Sequence, residues 1–165
     1  MISRKLRESV RQTYDFRCGY CGIQENDIGS ELEIDHFQPL IVGGSDGFEN
    51  LVYCCSACNR NKREYWPADE TMRLLHPRRD DLTLHLNETA DGYLTALTNR
   101  GQIHLQRLRL NRPQLVAARL LHRQRQADSQ ELTALRAEIE RINQYRDKLE
   151  AQLQEITEQL TRSNG

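Results

Sequence analysis

Aromatic bulk is scarce in this chain, with three Phe and one Trp among 165 residues and 38% apolar residues overall. So little large apolar surface supports only modest cores, and a small unit built from it gains from a metal staple. No apolar run approaches the ~20 residues needed to span a bilayer. The start, Met1-Ile2-Ser3-Arg4-Lys5, lacks the apolar stretch of a secretory leader. These absences argue against a membrane role and predict a cytoplasmic protein. An excess of one charge is missing too, since 23 basic residues face 24 acidic ones. Any nucleic-acid affinity must therefore come from a local patch. The balance shifts along the chain, from 18 basic and 16 acidic residues up to position 125 to 5 and 8 beyond it.

Glycine and proline vanish after Pro113 until the terminal Gly165. The intervening stretch is rich in Leu, Arg, Gln, Glu and Ala, all good helix formers, and Asn111-Arg112-Pro113 reads as its start, with Asn111 as cap and Pro113 in the first turn. From Leu132 the apolar positions Leu135, Ile139, Ile142, Leu149, Leu153, Ile156 and Leu160 follow a heptad seam. Arg146 fills the one missing position of that seam. A narrow stripe with polar flanks predicts a coiled coil over a helix docked on its own domain. The helix thus suits a homo-oligomer or a protein partner.

Five cysteines is an odd number, and four of them form two C-x-x-C pairs, Cys18/Cys21 and Cys55/Cys58. That pattern reads as metal binding in a reducing compartment and not as a disulfide framework. Four thiolates suit a closed, structural zinc site. Cys54 is the spare, turned away from Cys55 by strand alternation.

Between the pairs, Leu32 and Ile34 alternate with Glu31 and Glu33 and predict a strand into Asp35. Gly43-Gly44 and Asp46-Gly47 mark a loop, and Leu51-Val52-Tyr53 reads as a second strand. Ser56 is placed to cap a helix through about Glu64, and upstream Ser3 to cap a helix over 3–14. Downstream, Leu82, Leu84 and Leu86 alternate, Asp91-Gly92 turns, and residues 93–97 extend again, which predicts a β-hairpin. The fold class is therefore α+β. Three regions result: 1–65 with the metal pairs, 66–111 with the hairpin, and 112–162 as the long helix, coiled coil from about 132.

The segment Asp35–Lys62 also holds the makings of a hydrolytic site. Phosphodiester hydrolysis needs a base for water, a cation for the developing charge and fixed geometry. His36 is the candidate base, because an imidazole titrates at roughly 6.5 and is mostly neutral near pH 7. Asp35 faces the other side of the strand and is free to bind a metal, with Asn59 offering an amide oxygen as the second ligand. One carboxylate and one amide suit magnesium or manganese. Asn50 is placed to tie the loop to the His36 backbone. Arg60, Lys62 and Arg63 are candidates to meet phosphates. Singly, each of these is more often a surface pair, a turn residue or a solvated helix end; their joint order carries the reading.

In that order the segment resembles the HNH endonuclease family: Cys18-x-x-Cys21, Asp35-His36-x-x-Pro39, Gly43-Gly44-Ser45-Asp46, Asn50-Leu51 and Cys55-x-x-Cys58-Asn59-x-x-Lys62. The resemblance covers about residues 14–63. It implies a small ββα-metal nuclease unit with one catalytic divalent ion, here Mg2+ or Mn2+. In it the position of His36 activates water, those of Asp35 and Asn59 hold the ion, and that of Asn50 positions the loop. Asn59 stands where the family often has His, which bears on the choice of metal. The implied substrate is DNA, with RNA the open alternative. Small HNH proteins with extensions look similar to nuclease subunits of bacterial antiviral defence systems. A zinc-stapled DNA-binding module without turnover, or a coiled-coil adaptor, is the alternative function.

Overall fold

The structure is a computed structural model, and it describes residues 2–163. It falls into two units, residues 1–120 and the residues from Leu121 onward.

The first unit opens with helix α1 (Arg4–Thr13), whose N-terminus is closed by Ser3 Oγ accepting from the Leu6 amide at 3.2 Å. One face of α1 carries Leu6 and Val10, and Val10 is wholly buried. The Cys18–Cys21 knuckle follows. Gly19 is required in it, because a Cβ there would lie 2.5 Å from the Tyr14 ring. A single turn of helix, α2 (Glu25–Ile28), leads to strand β1 (Glu33–His36), which pairs antiparallel with β2 (Leu51–Cys54) in the register Asp35↔Val52 and His36↔Leu51. The loop between them folds back so tightly that a Cβ at Gly44 would collide with the Gln38 carbonyl. Helix α3 (Ser56–Lys62) follows β2 directly and contacts β1.

The rest of the unit is a short antiparallel hairpin, β3 (Leu86–Glu88) and β4 (Leu94–Ala96), then helix α4 (Asn99–Arg107) and the start of α5 (Pro113–Ser163). Val10, Leu51, Tyr53, Leu74, Leu108, Leu110 and Leu115 all belong to one buried cluster. The hairpin region and the metal-knuckle region therefore share one core.

Several local expectations are corrected. Residues Leu82–Leu84 form a 3-10 turn and not a strand, because the Asp81 carboxylate accepts from the Thr83 amide and curls the chain. Cys55 is the N-cap residue of α3 and makes no side-chain cap bond, and the helix stops at Lys62, where Arg63 takes a positive φ of 50°. Asn111 does not cap α5. Its side chain accepts from the Leu94 amide and donates to the Leu94 carbonyl, both at 2.8 Å, so it ties the helix start to β4. Helix α4 has no forerunner in the sequence reading: a glycine, Gly101, sits in its first turn, where a helix is usually disfavoured. Gly101 is needed because the His85 carbonyl lies against it, and Thr98 supplies the cap at 3.0 Å.

Within the second unit α5 shows an exposed seam, with Leu132 through Leu160 between 42% and 63% accessible. Among the described residues, no helix is long and apolar enough to cross a membrane.

Candidate functional site

The two C-x-x-C pairs meet. Sγ atoms of Cys18, Cys21, Cys55 and Cys58 all lie within 4.8 Å of one another, and the Cys21–Cys55 pair is 3.8 Å apart. A tetrahedron with metal–sulfur bonds of about 2.3 Å has edges of about 3.8 Å, so the cage has the size of a zinc site. Burial pushes the Cys18 thiol up, whereas bonds from Cys18 and the other sulfurs pull Cys55 well down. Cys54 stands apart, wholly buried on β2, and burial pushes its thiol up, as suits an inert core residue. One cation faces the cage: Arg112 Nη2 lies 3.6 Å from the sulfurs of Cys55 and Cys58 and 3.9 Å from that of Cys21. Its charge opposes the −2 that four thiolates would leave around a divalent zinc.

Strand β1 and helix α3 bring the other candidates together in two groups. On the face of β1 toward α3, Glu33 and Asp35 alternate with the residues between them. Asn59 Nδ2 donates to Glu33 Oε2 at 2.7 Å. That bond, with another from Ser56, holds the Glu33 carboxyl below the usual range. It also fixes the Asn59 amide with its NH2 on Glu33, so that Oδ1 is the atom not engaged in this bond. Asp35, 7% exposed, is held from two sides. Tyr20 donates to its Oδ2 at 2.6 Å, and Lys62 Nζ lies 3.0 Å from its carboxylate oxygens. Burial pushes the Asp35 carboxyl up, against the pull of Lys62 and Tyr20.

Lys62 is thus corrected as a phosphate contact. Only 1% exposed, it also donates to the His36 carbonyl at 2.8 Å, and its ammonium faces the interior. The physical reason is that a buried carboxylate needs a counter-charge. Arg60 and Arg63 remain exposed.

His36 forms the second group. Its Nε2 is 2.7 Å from Asp46 Oδ1, and the imidazole holds the Asp46 carboxyl below the usual range. A carboxylate only accepts, so Nε2 carries a proton, and in the neutral ring Nδ1 has the lone pair. Asn50 fixes the loop, but two residues beyond His36: its Oδ1 accepts from the Gln38 amide at 2.8 Å, and its Nδ2 donates to the carbonyls of Gln38 and Ser45 at 3.0 and 2.9 Å.

Sequence reasoning gave no role at the site to Glu33, Tyr20, Asp46 or Arg112. The spacing of Glu33, two before Asp35 on a strand, was a signal that both face one way. Asp46 stood inside the recognised Gly43-Gly44-Ser45-Asp46 run. Arg112 is 57 and 91 positions from sulfurs it meets, and no local pattern marks it.

A four-cysteine cage of zinc size thus brackets a β-strand, loop, strand and helix that carry a histidine and oxygen donors. Residues 18–64 match the model of the HNH endonuclease family. The chain is also similar to a protein named Septu protein PtuA from Bacillus mycoides (strain KBAB4), 25% identical over 144 residues that cover 69% of this chain and 20% of the relative. It spans about a fifth of the length of that curated relative. No solved structure matches it significantly.

Proposed function

We propose that the chain is a metal-dependent endonuclease that hydrolyses phosphodiester bonds of DNA. The observation that carries the reading is the His36–Asp46 pair within the segment that matches the HNH family. Asp46 holds the ring in the tautomer that leaves Nδ1 free, and from there His36 takes a proton from the attacking water. The donor set fits one divalent ion. Asn59 presents an oxygen because Glu33 holds its NH2, and Asp35 Oδ1 keeps a lone pair beyond its bond to Lys62, whereas Oδ2 is taken by Tyr20 and Lys62. A carboxylate shared with an ammonium, plus one amide, suits an ion that keeps most of its waters, as Mg2+ or Mn2+ does. When bound, such an ion stabilises charge developing on the phosphate. Asn50 holds the loop that carries Asp46, and Arg60 and Arg63 meet the backbone.

The alternative, a zinc-stapled binding module without turnover, draws on one observation, the neutralisation of Asp35 by Lys62. Plasmid relaxation with magnesium or manganese decides between them. The wild type is expected to nick, and His36→Ala to lose roughly 10²- to 10⁴-fold in rate, as removal of a general base does. Equal activity of both proteins, after metal-free purification, sinks the catalytic reading. The likeness to the Septu protein supports a role in a bacterial defence system, with the long helix engaging a second copy or a protein partner.

A further inference from the structure

Most arginines of the first unit are already spent on partners. Arg11 is paired with Glu25, Arg73 with Glu70, Arg78 with Glu49 and Arg100 with Asp80. Arg112 faces the sulfurs, and Arg119 donates to the carbonyls of Gly92 and Leu110. Arg60, Arg63, Arg107 and Arg109 are among those that form no ion pair with a carboxylate within the described residues. These four line one groove of about 560 Å³ between the C-terminal end of α3 and helix α4, together with Tyr65 and Ile103. No carboxylate lines it. A second hollow of about 690 Å³ shares Arg63, Tyr65 and Arg107 with the first and runs on past Trp66, with Glu64 its one acid. Two hollows with shared walls make a track and not a closed pocket.

The groove is built, not merely charged. The Arg107 guanidinium lies 4.7 Å over the Tyr65 ring and donates to the Lys62 carbonyl at 3.1 Å. Asn61 donates to the Leu108 carbonyl at 3.1 Å and holds α3 against the end of α4. Arg63 and Arg109 both hold a left-handed backbone, at φ 50° and 52°, a costly conformation for non-glycine residues that tends to occur at functional positions. The track also adjoins the proposed active site. Arg60 follows Asn59 directly, and its charge contributes to holding Glu33 ionised. Lys62, whose carbonyl Arg107 takes, bonds the His36 carbonyl with its ammonium.

The geometry points to this α3–α4 groove as the seat of the sugar–phosphate backbone flanking the scissile bond, with Arg107 and Arg109 of the extension acting beside Arg60 and Arg63. An open track with four arginines and one acid, Glu64, at its far end fits a polyanionic strand. The inference rests on the nuclease reading for its substrate but is tested by binding alone. Each lost phosphate contact lowers the slope of log affinity against log salt by about 0.9 on duplex DNA.

The probe is a fluorescein-labelled DNA duplex, with an RNA duplex as second arm, titrated by anisotropy against full-length His36→Ala protein from low to moderate salt. Adding Arg60→Ala and Arg109→Ala, both exposed, is expected to lower that slope by about 2, with at least a tenfold loss of affinity at low salt. Lys5→Ala, on α1, is the control and leaves the slope unchanged. Circular dichroism confirms that the variants are folded. An unchanged slope in the double variant overturns the groove while leaving the nuclease reading intact. A lowered slope in a protein whose wild type never nicks plasmid retains the groove and removes the nuclease. Equal slopes on both duplexes assign the groove to backbone charge; a loss confined to the RNA arm overturns its assignment to DNA.

Discussion

His104 shows how far burial alone moves a titratable group in this protein. It is wholly buried on α4, and its Nδ1 accepts from the Leu75 amide at 3.1 Å. Burial, reinforced by the charge of Arg100, pushes it down to about 4. The folded state therefore refuses a proton that the unfolded chain binds below roughly 6.5. Stability from this group is complete above that pH and is lost as pH falls toward 4, by about 3 kcal/mol in all. Urea unfolding at pH 6.5 and pH 4 measures it. The loss between the two should shrink by most of that amount in His104→Gln, which keeps an acceptor without a titration. An identical loss in both proteins means that His104 is not the group responsible. Other residue roles divide by range. Glu33 sits two places from Asp35 on the same strand, and alternation alone puts them on one face. That Asp35 is buried against Lys62, or that Asp46 reaches His36, depends on how a loop and a helix return over the strand.

At the scale of elements, the start of α5 is bound to the four-cysteine cage. Arg112 lies within 3.6 Å of two sulfurs and also donates to the Leu108 carbonyl at 3.1 Å, while Val116 and Leu115 bury the first turn. Partners that orient and neutralise metal ligands are typically worth ~10- to 100-fold in metal affinity. Arg112→Gln should therefore release zinc to a chromophoric chelator at least tenfold faster than wild type at pH 7. Release at the wild-type rate would show the contact to be incidental. Stripping the zinc altogether should cost the N-terminal unit its ordered circular dichroism, because so small a core depends on the staple. Strands β1 and β2 and helix α1 were legible because period and caps agree there. Helix α4 was not, since Gly101 breaks the expected pattern and its reason, the approach of the His85 carbonyl, lies 16 positions away.

For the whole molecule, the exposed seam of the second unit carries the remaining prediction. Arg146, which interrupts the seam, is paired with Asp147 at 2.7 Å and lies 3.7 Å from Glu150 on its own helix, so its charge is already partly balanced there. A pairing partner would bury Ile139, Ile142, Leu149 and Leu153, all more than 40% exposed in the single chain. Sedimentation equilibrium of the full-length protein should show self-association, and Ile142→Asp with Leu153→Asp should reduce it to monomer. A wild type that is monomeric at micromolar concentration refutes self-pairing and leaves a different protein as the occupant. In the first unit, residues 66–111 were expected as an extension carrying the hairpin. Leu74, Leu108 and Leu110 of this stretch enter the same core as Val10 and Tyr53.

By itself the sequence determined the four cysteines of the candidate metal cage, the order of the strand–loop–strand–helix segment and the family it matches. Each of these rests on short spacings that backbone geometry converts directly into placement. Tertiary structure alone decided which charges are spent. Lys62 turned inward because Asp35 is buried beside it, Arg112 closed on the cage, and Arg107 and Arg109 came to lie alongside Arg60 and Arg63. A side chain's charge is read from one letter, but its partner is set by packing between segments that the chain order keeps far apart.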